Sequence, residues 1–166
     1  MGIVQGRMTA DFSGPLVVFV IGMRINHFHK FGKWWPVFKS MRPMIEELSR
    51  NPDSGFLGNE FLLAGIRQVC LIQYWRDFDS LERYARARDE KHWPAWVDFN
   101  KRIGSDGTVG IYHETYAVPA GGYEVVYGNM PPWGLGKVAG LVPATGNRNE
   151  ARERMQASLG ANTATE

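Results

Sequence analysis

The run Leu16-Val-Val-Phe-Val-Ile-Gly-Met-Arg-Ile25 constrains this chain more than any other segment, because its apolar residues fall on both sides of an extended strand. Alternate side chains of a strand point to opposite faces, so Val17, Phe19, Ile21, Met23 and Ile25 lie on one face and Val18 and Val20 on the other. A strand of that kind belongs inside a sheet that is covered on both faces. Gly14-Pro15 and Asn26 bound it.

The rest of the chain supplies partners for this strand. A ring-rich, positively charged loop from Asn26 to Trp35 leads to an amphipathic helix on Val37, Met41, Met44, Ile45 and Leu48, which Pro43 is expected to kink or delay. Asn51-Pro-Asp-Ser-Gly55 stops it. Strands over about 58–64 and 68–75 flank Gly65-Ile66-Arg67 as a hairpin. A second helix starts at Asp79, where Asp79-Ser-Leu-Glu82 reads as a capping box. It breaks near His92 and restarts at Pro94 through Ile103. A last core strand spans Val109 to Val118, and Tyr123 to Tyr127 adds a further strand or covers an edge. The order β, α, β, β, α, β predicts an α+β, ferredoxin-like antiparallel sheet with helices on one face. Residues 1–13 read as an N-terminal arm, 14–128 as the ferredoxin-like domain, and 129–166 as a wrapping extension with a frayed tail. The apolar second face calls for a cover, most economically another copy of the chain. That gives a homodimer, since each exposed β-branched side chain would cost on the order of 1.5–3 kcal/mol.

Composition narrows the functions. Net charge is +2 with bases scattered among acids, and there is no arginine-rich stripe, so nucleic acid is not the expected partner. The run ending at Ile21 is too short to span a bilayer and no cleavage pattern follows it, so no membrane insertion and a cytoplasmic location are expected. Nucleotide loops, nucleophile elbows and paired metal motifs are absent. The single cysteine, Cys70, lies in an apolar run and reads as a small, buried, inert side chain.

Chemistry-bearing residues cluster in two places. His92 shares one face of the restarted helix with Trp96, Phe99 and Ile103, so a buried face would oblige it to find a partner in protein, cofactor or substrate. His113 and Glu114 are adjacent on a strand and point to opposite faces, so one of them looks toward the helices. If His113 does, it rivals His92 as ligand or acid/base group. Arg24 either pairs with Glu114 or anchors a ligand anion. Trp75, Trp93 and Trp96 suit the walls of a pocket for a flat molecule. His27 and His29 read as part of a solvated basic loop, and Met41 and Met44 as core filler.

The element order and Trp75-Arg-Asp-Phe-Asp-Ser-Leu81 resemble the dimeric α/β barrel superfamily, which includes antibiotic-biosynthesis and heme-degrading monooxygenases. Val18-Phe-Val-Ile-Gly-Met-Arg24, His92-Trp-Pro-Ala-Trp96 and Gly110-Ile-Tyr-His-Glu-Thr-Tyr116 look like a monooxygenase-like family of bacteria and fungi, over about residues 12–145. The resemblance implies a dimeric barrel and a monooxygenase-like enzyme acting on a small hydrophobic or aromatic molecule in a pocket between helices and sheet. By analogy with the heme-degrading relatives, Asn26, Tyr84 and His92 would face that pocket, with His92 on heme iron. The antibiotic-type relatives use no metal, so the alternative cofactor is none. A heme-dependent lyase or dehydratase of the aldoxime-dehydratase kind and a non-catalytic carrier of a hydrophobic ligand are the rival readings.

Overall fold

The computed structural model describes residues 2–87, 97 and 106–160. A four-stranded antiparallel sheet in the order β3-β4-β2-β5 forms its centre, from β2 (Leu16–Ile25), β3 (Phe56–Leu63), β4 (Gln68–Trp75) and β5 (Val109–Val118). The doubly apolar run is therefore an interior strand, as its two faces require. Two helices, α1 (Phe31–Arg50) and α2 (Phe78–Arg86), supply the α part of the ferredoxin-like α+β fold.

Register decides which side chains meet the helices. Val17 pairs with Trp75, Met23 with Val69, and Ile21 with His113. Residues directly opposite share a face, so Val17, Phe19, Ile21, Met23 and Ile25 look the same way as Val69, Leu71, Gln73, Trp75, Ile111 and His113. Val17 and Trp75 pack with Leu48 of α1 and Leu81 of α2, while Met23, Ile25 and Val109 pack with Val37, Phe38 and Met41. This face carries the core.

Helix α1 runs as one helical span through Pro36 and Pro43, so Pro43 does not delay its start. Packing of its apolar stripe on the sheet outweighs the two missing backbone donors. Helix α2 is capped two residues earlier than the expected capping box. Asp77 is the N-cap, its Oδ1 accepting from the Ser80 N–H at 2.7 Å while its Oδ2 accepts from Arg76 Nε at 2.9 Å. The Ser80 side chain first, then Arg76 and the Ser80 N–H, hold the Asp77 carboxyl down at about 2.

The chain ends depart most from expectation. The supposed N-terminal arm contains strand β1 (Val4–Ala10), which lies between β6 (Tyr127–Met130) and β7 (Leu141–Pro143) in a separate three-stranded sheet. Between β6 and β7, the short helix α3 (Gly134–Ala139) leans on β3. Glu60 Oε1 accepts from Gly134 N at 2.9 Å and lies 3.3 Å from Lys137 Nζ, and Tyr127 OH accepts from Gly136 N at 3.0 Å. The extension thus covers its own sheet at the β3 edge rather than only reaching away. Helix α4 (Ala151–Ala157) closes the fold. Its buried Arg154 donates to Glu124 at 2.7 Å and to the carbonyls of Arg148 and Asn149. Among the described residues, no helix is long and apolar enough to cross a membrane.

Candidate active site

A cavity of about 250 Å³ lies between the helices and the inner face of the sheet. Phe19, Ile21 and Met23 form its floor with Leu71 and Ile111, and Met41 and Met44 of α1 and Leu81 and Tyr84 of α2 form the roof. The two methionines read from sequence as core filler are therefore cavity lining, a place where flexible thioethers adapt to a ligand's shape. Its wall is apolar except at Gln73, Ser40 and Tyr84.

Gln73 is the polar group that sequence reasoning missed. It is buried, and its Oε1 accepts from Trp75 Nε1 at 3.0 Å. An indole N–H can only donate, so this bond fixes the amide orientation and leaves the Gln73 amide nitrogen as the donor end at the cavity. The Ser40 hydroxyl is committed to the Val37 carbonyl at 2.7 Å. Alternation on β4 was the available signal: Val69, Leu71, Gln73 and Trp75 share a face, and a lone amide in such a row marks a polar group turned inward.

The predicted residues separate into distinct places. Tyr84 lines the cavity and packs on Trp75 with ring centroids 5.8 Å apart. Trp75 is wholly buried in the core between Phe56 and Tyr84, so it is a support behind the cavity rather than a wall of it. His113 faces the helix side, opposite Ile21, with its ring 5.6 Å from that of Phe19. Both neighbours line the cavity, while the imidazole itself is exposed and is not part of the lining. Glu114 projects from the other face and accepts from Tyr116 OH at 2.5 Å, which raises the Tyr116 hydroxyl. Arg24 also projects from that outer face, where its only hydrogen bond among the described residues is a long 3.5 Å contact to Gln68. It sits opposite Gly110, whereas Glu114 sits opposite Val20, about 13 Å along the strand. The expected Arg24–Glu114 pair does not form, and neither side chain reaches the cavity from the face it occupies. Asn26 Nδ2 donates to the Gly107 carbonyl at 2.9 Å and tethers the loop before β5, which is a structural task outside the cavity lining. His92, Trp93 and Trp96 lie outside the described residues. Cys70 is half-buried on the outer face, against the Tyr112 hydroxyl, not in the core.

Heme would need an axial ligand and room for a macrocycle. No described histidine lines the cavity, and about 250 Å³ is below the 300–1,000 Å³ usual for pockets holding drug-sized ligands. The described residues alone do not fit that group. Nor do they group three metal-ligating side chains anywhere. A second cavity, of about 470 Å³, lies between the end of β1 and α4, and its arginines are already engaged: Arg148 with Asp11 at 3.0 Å and Arg154 with Glu124.

Comparison with known proteins agrees with this architecture. The chain is 28% identical over 156 residues to the monooxygenase af470 of Aspergillus fumigatus, covering 81% of this chain and 54% of that protein. The crystal structure of an aldoxime dehydratase superposes with a TM-score of 0.64 at 20% identity, over 87% of this chain and 45% of that one. The chain thus spans about half the length of these relatives. The structure of SnoaB, a cofactor-independent oxygenase from Streptomyces nogalater, is a looser match, with a TM-score of 0.44 at 14% identity over 61% of this chain and 91% of that one. Residues 16–135 match the model of the family described as monooxygenase af470-like, a stretch that includes the whole central sheet and both cavity-lining helices, and the chain belongs to that family.

Proposed function

We propose that this protein is a monooxygenase-like enzyme that takes a small hydrophobic or aromatic molecule into the cavity between α1, α2 and the sheet. The observation that carries this reading is an apolar cavity with a fixed amide donor at Gln73, and with the imidazole of His113 against the lining residue Phe19. An apolar wall with few, oriented polar groups is the usual form of a small-molecule site. The work open to this chain's residues is proton handling. His113 takes a proton from an activated CH₂ or phenol of the substrate, and the amide of Gln73 holds the oxygen on which negative charge develops. Tyr84 sets the plane of the ring system. For an activated CH₂, reaction with O₂ then gives C=O and H₂O, the substrate supplying all the electrons.

Anthrone is a suitable probe, because its acidic CH₂ becomes a carbonyl under this balance. His113→Asn should lower oxygen uptake with anthrone by about 10²–10⁴-fold without loss of fold. His92→Asn is the companion variant. Loss in the His92 variant alone would move the proton-handling role there, and no loss in either would leave a non-catalytic carrier. A Soret band in freshly purified protein would instead favour a heme enzyme with one of these histidines on iron, and with it the lyase or dehydratase reading.

Two structural proposals accompany this one. Residues 14–128 form the unit that carries the site, with the flanking segments as its support. The part of the outer face around Val18, Val20 and Glu114, which α3 does not reach, pairs with a second copy. Light scattering that finds a stable monomer at micromolar concentration would refute the homodimer.

A further inference from the structure

The loop before α1 and the first three quarters of that helix, residues 26–45, carry Lys30, Lys33, Lys39 and Arg42, two histidines and four large aromatic rings on the helix, and no acidic residue. The fold orders the aromatics into a ladder. Phe31 stacks on Trp35 with centroids 5.3 Å apart, and Trp35 on Phe38 at 5.7 Å, the ring planes within 21° and 18° of parallel. Trp34 steadies the base, its Nε1 donating to the Phe28 carbonyl at 3.0 Å. Phe38 packs against the core, but the other two rungs stand outside it: Phe31 is 52% exposed and Trp35 38%. Lys39 reaches over the Trp35 ring at 6.0 Å, and Arg67 lies over Phe28 at 5.0 Å. The described acids near the patch are Asp106, which Lys30 and Lys33 share, and Glu46, paired with Arg42. Among the described residues, positive charge is left in excess around exposed rings.

We infer that this face of α1 is a docking surface for an anionic lipid surface. Aromatic rings sit at the water–hydrocarbon boundary, while long cationic side chains beside them reach lipid headgroups. Charge selects the occupant, since a ring patch meant for a neutral protein surface needs no cations and an acid-free stretch repels none of the phosphates. The opposite side of the same helix presents Val37, Met41 and Met44 to the cavity. Docking therefore holds the roof of the cavity against the phase in which a hydrophobic substrate dissolves. That last link rests on the function proposed above, whereas the docking itself does not.

The test is sedimentation of the full chain with vesicles of phosphatidylcholine and phosphatidylserine at 7:3, and with vesicles of phosphatidylcholine alone. Binding should occur with the anionic vesicles at 50 mM salt, fall sharply at 0.5 M salt, and be much weaker with the neutral ones. Lys39→Glu should weaken it about tenfold and Trp35→Ala by at least as much, with melting temperatures unchanged. Should Trp35→Ala disturb the helix, Phe31→Ser at a more exposed position gives the same readout. Failure to sediment, equal affinity for both vesicles, or variants that bind like wild type would each overturn the inference. So would variants that turn a self-associated species into a smaller one, which would place a second copy on the patch. Vesicle binding without oxygen uptake sinks the proposed reaction and leaves this inference standing, and uptake without vesicle binding does the reverse.

Discussion

Replacing Gln73 by leucine tests whether the buried Gln73–Trp75 bond organises the cavity. Trp75 has no exposure, and its indole N–H reaches one acceptor, Gln73 Oε1, at 3.0 Å. Leucine fills similar space but leaves that N–H unpaired in a dry core, which costs about 1–3 kcal/mol. Trp75→Phe removes the donor instead. It loses ring volume and packing against Tyr84 and Phe56, a loss of roughly 2 kcal/mol at so buried a site. In the double variant no orphaned donor remains, so Gln73→Leu on the Trp75→Phe background should cost almost nothing. The coupling between the two positions is then about 1–3 kcal/mol, measured by urea unfolding followed by far-ultraviolet circular dichroism in a double-mutant cycle. Effects that add to within about 0.5 kcal/mol would show that the bond carries no net stability and that nothing fixes the amide's direction.

Three further outcomes follow from the geometry. The Tyr74 hydroxyl is pushed up to about 12, first by burial and then by Tyr127 and Glu60 beside it. The folded state keeps this proton while an unfolded chain loses it near 10, so the contribution is complete below pH 10 and disappears as pH rises through 12. Thermal melts across that range should show the loss, and Tyr74→Phe should remove it. Asp77→Ala should cost about 1 kcal/mol at neutral pH through the lost N-cap. Because the Asp77 carboxyl is held down at about 2, its contribution is present above about 3.8 and fades as pH falls through 2, which acid titration of wild type against the variant checks. Gly136→Ala would place a Cβ 2.5 Å from Leu141 Cδ2 and 2.7 Å from the Tyr127 ring, so it should destabilise by roughly 1–3 kcal/mol. Hydrogen exchange should locate that loss in residues 127–143 and leave the central sheet protected.

Strand β2 was legible because its composition allows one position in a sheet and because alternation assigns each side chain to a face. The same alternation said that His113 and Glu114 diverge, but only the pairing of Ile21 with His113 says which of them meets the helices. Strand β1 was illegible for the opposite reason. Val4-Gln-Gly-Arg-Met-Thr-Ala10 has little apolar alternation, and its strand state depends on partners near the other end of the chain. Trp75 shows a different limit. Residue type suggests a ligand-stacking wall, yet a large ring on the inner face of a central strand, between two helices, becomes core, and the smaller neighbour Gln73 meets the cavity instead. At α2, two aspartates two residues apart offered equally good starts, and the carboxylate that also meets Arg76 is the one that caps.

The threading of β1 between β6 and β7 also sets a timetable for synthesis. Ala10 pairs with Leu141, about 130 residues later, and Met8 with Tyr127. At 5–20 residues per second the ribosome needs on the order of 10 s to deliver these partners. During that interval the four-stranded sheet can assemble from local hairpins, while residues 4–10 wait with both backbone edges unpaired. The start of the chain is thus among the last parts to fold, and a nascent chain stalled before residue 141 exposes a sticky strand that the finished protein conceals.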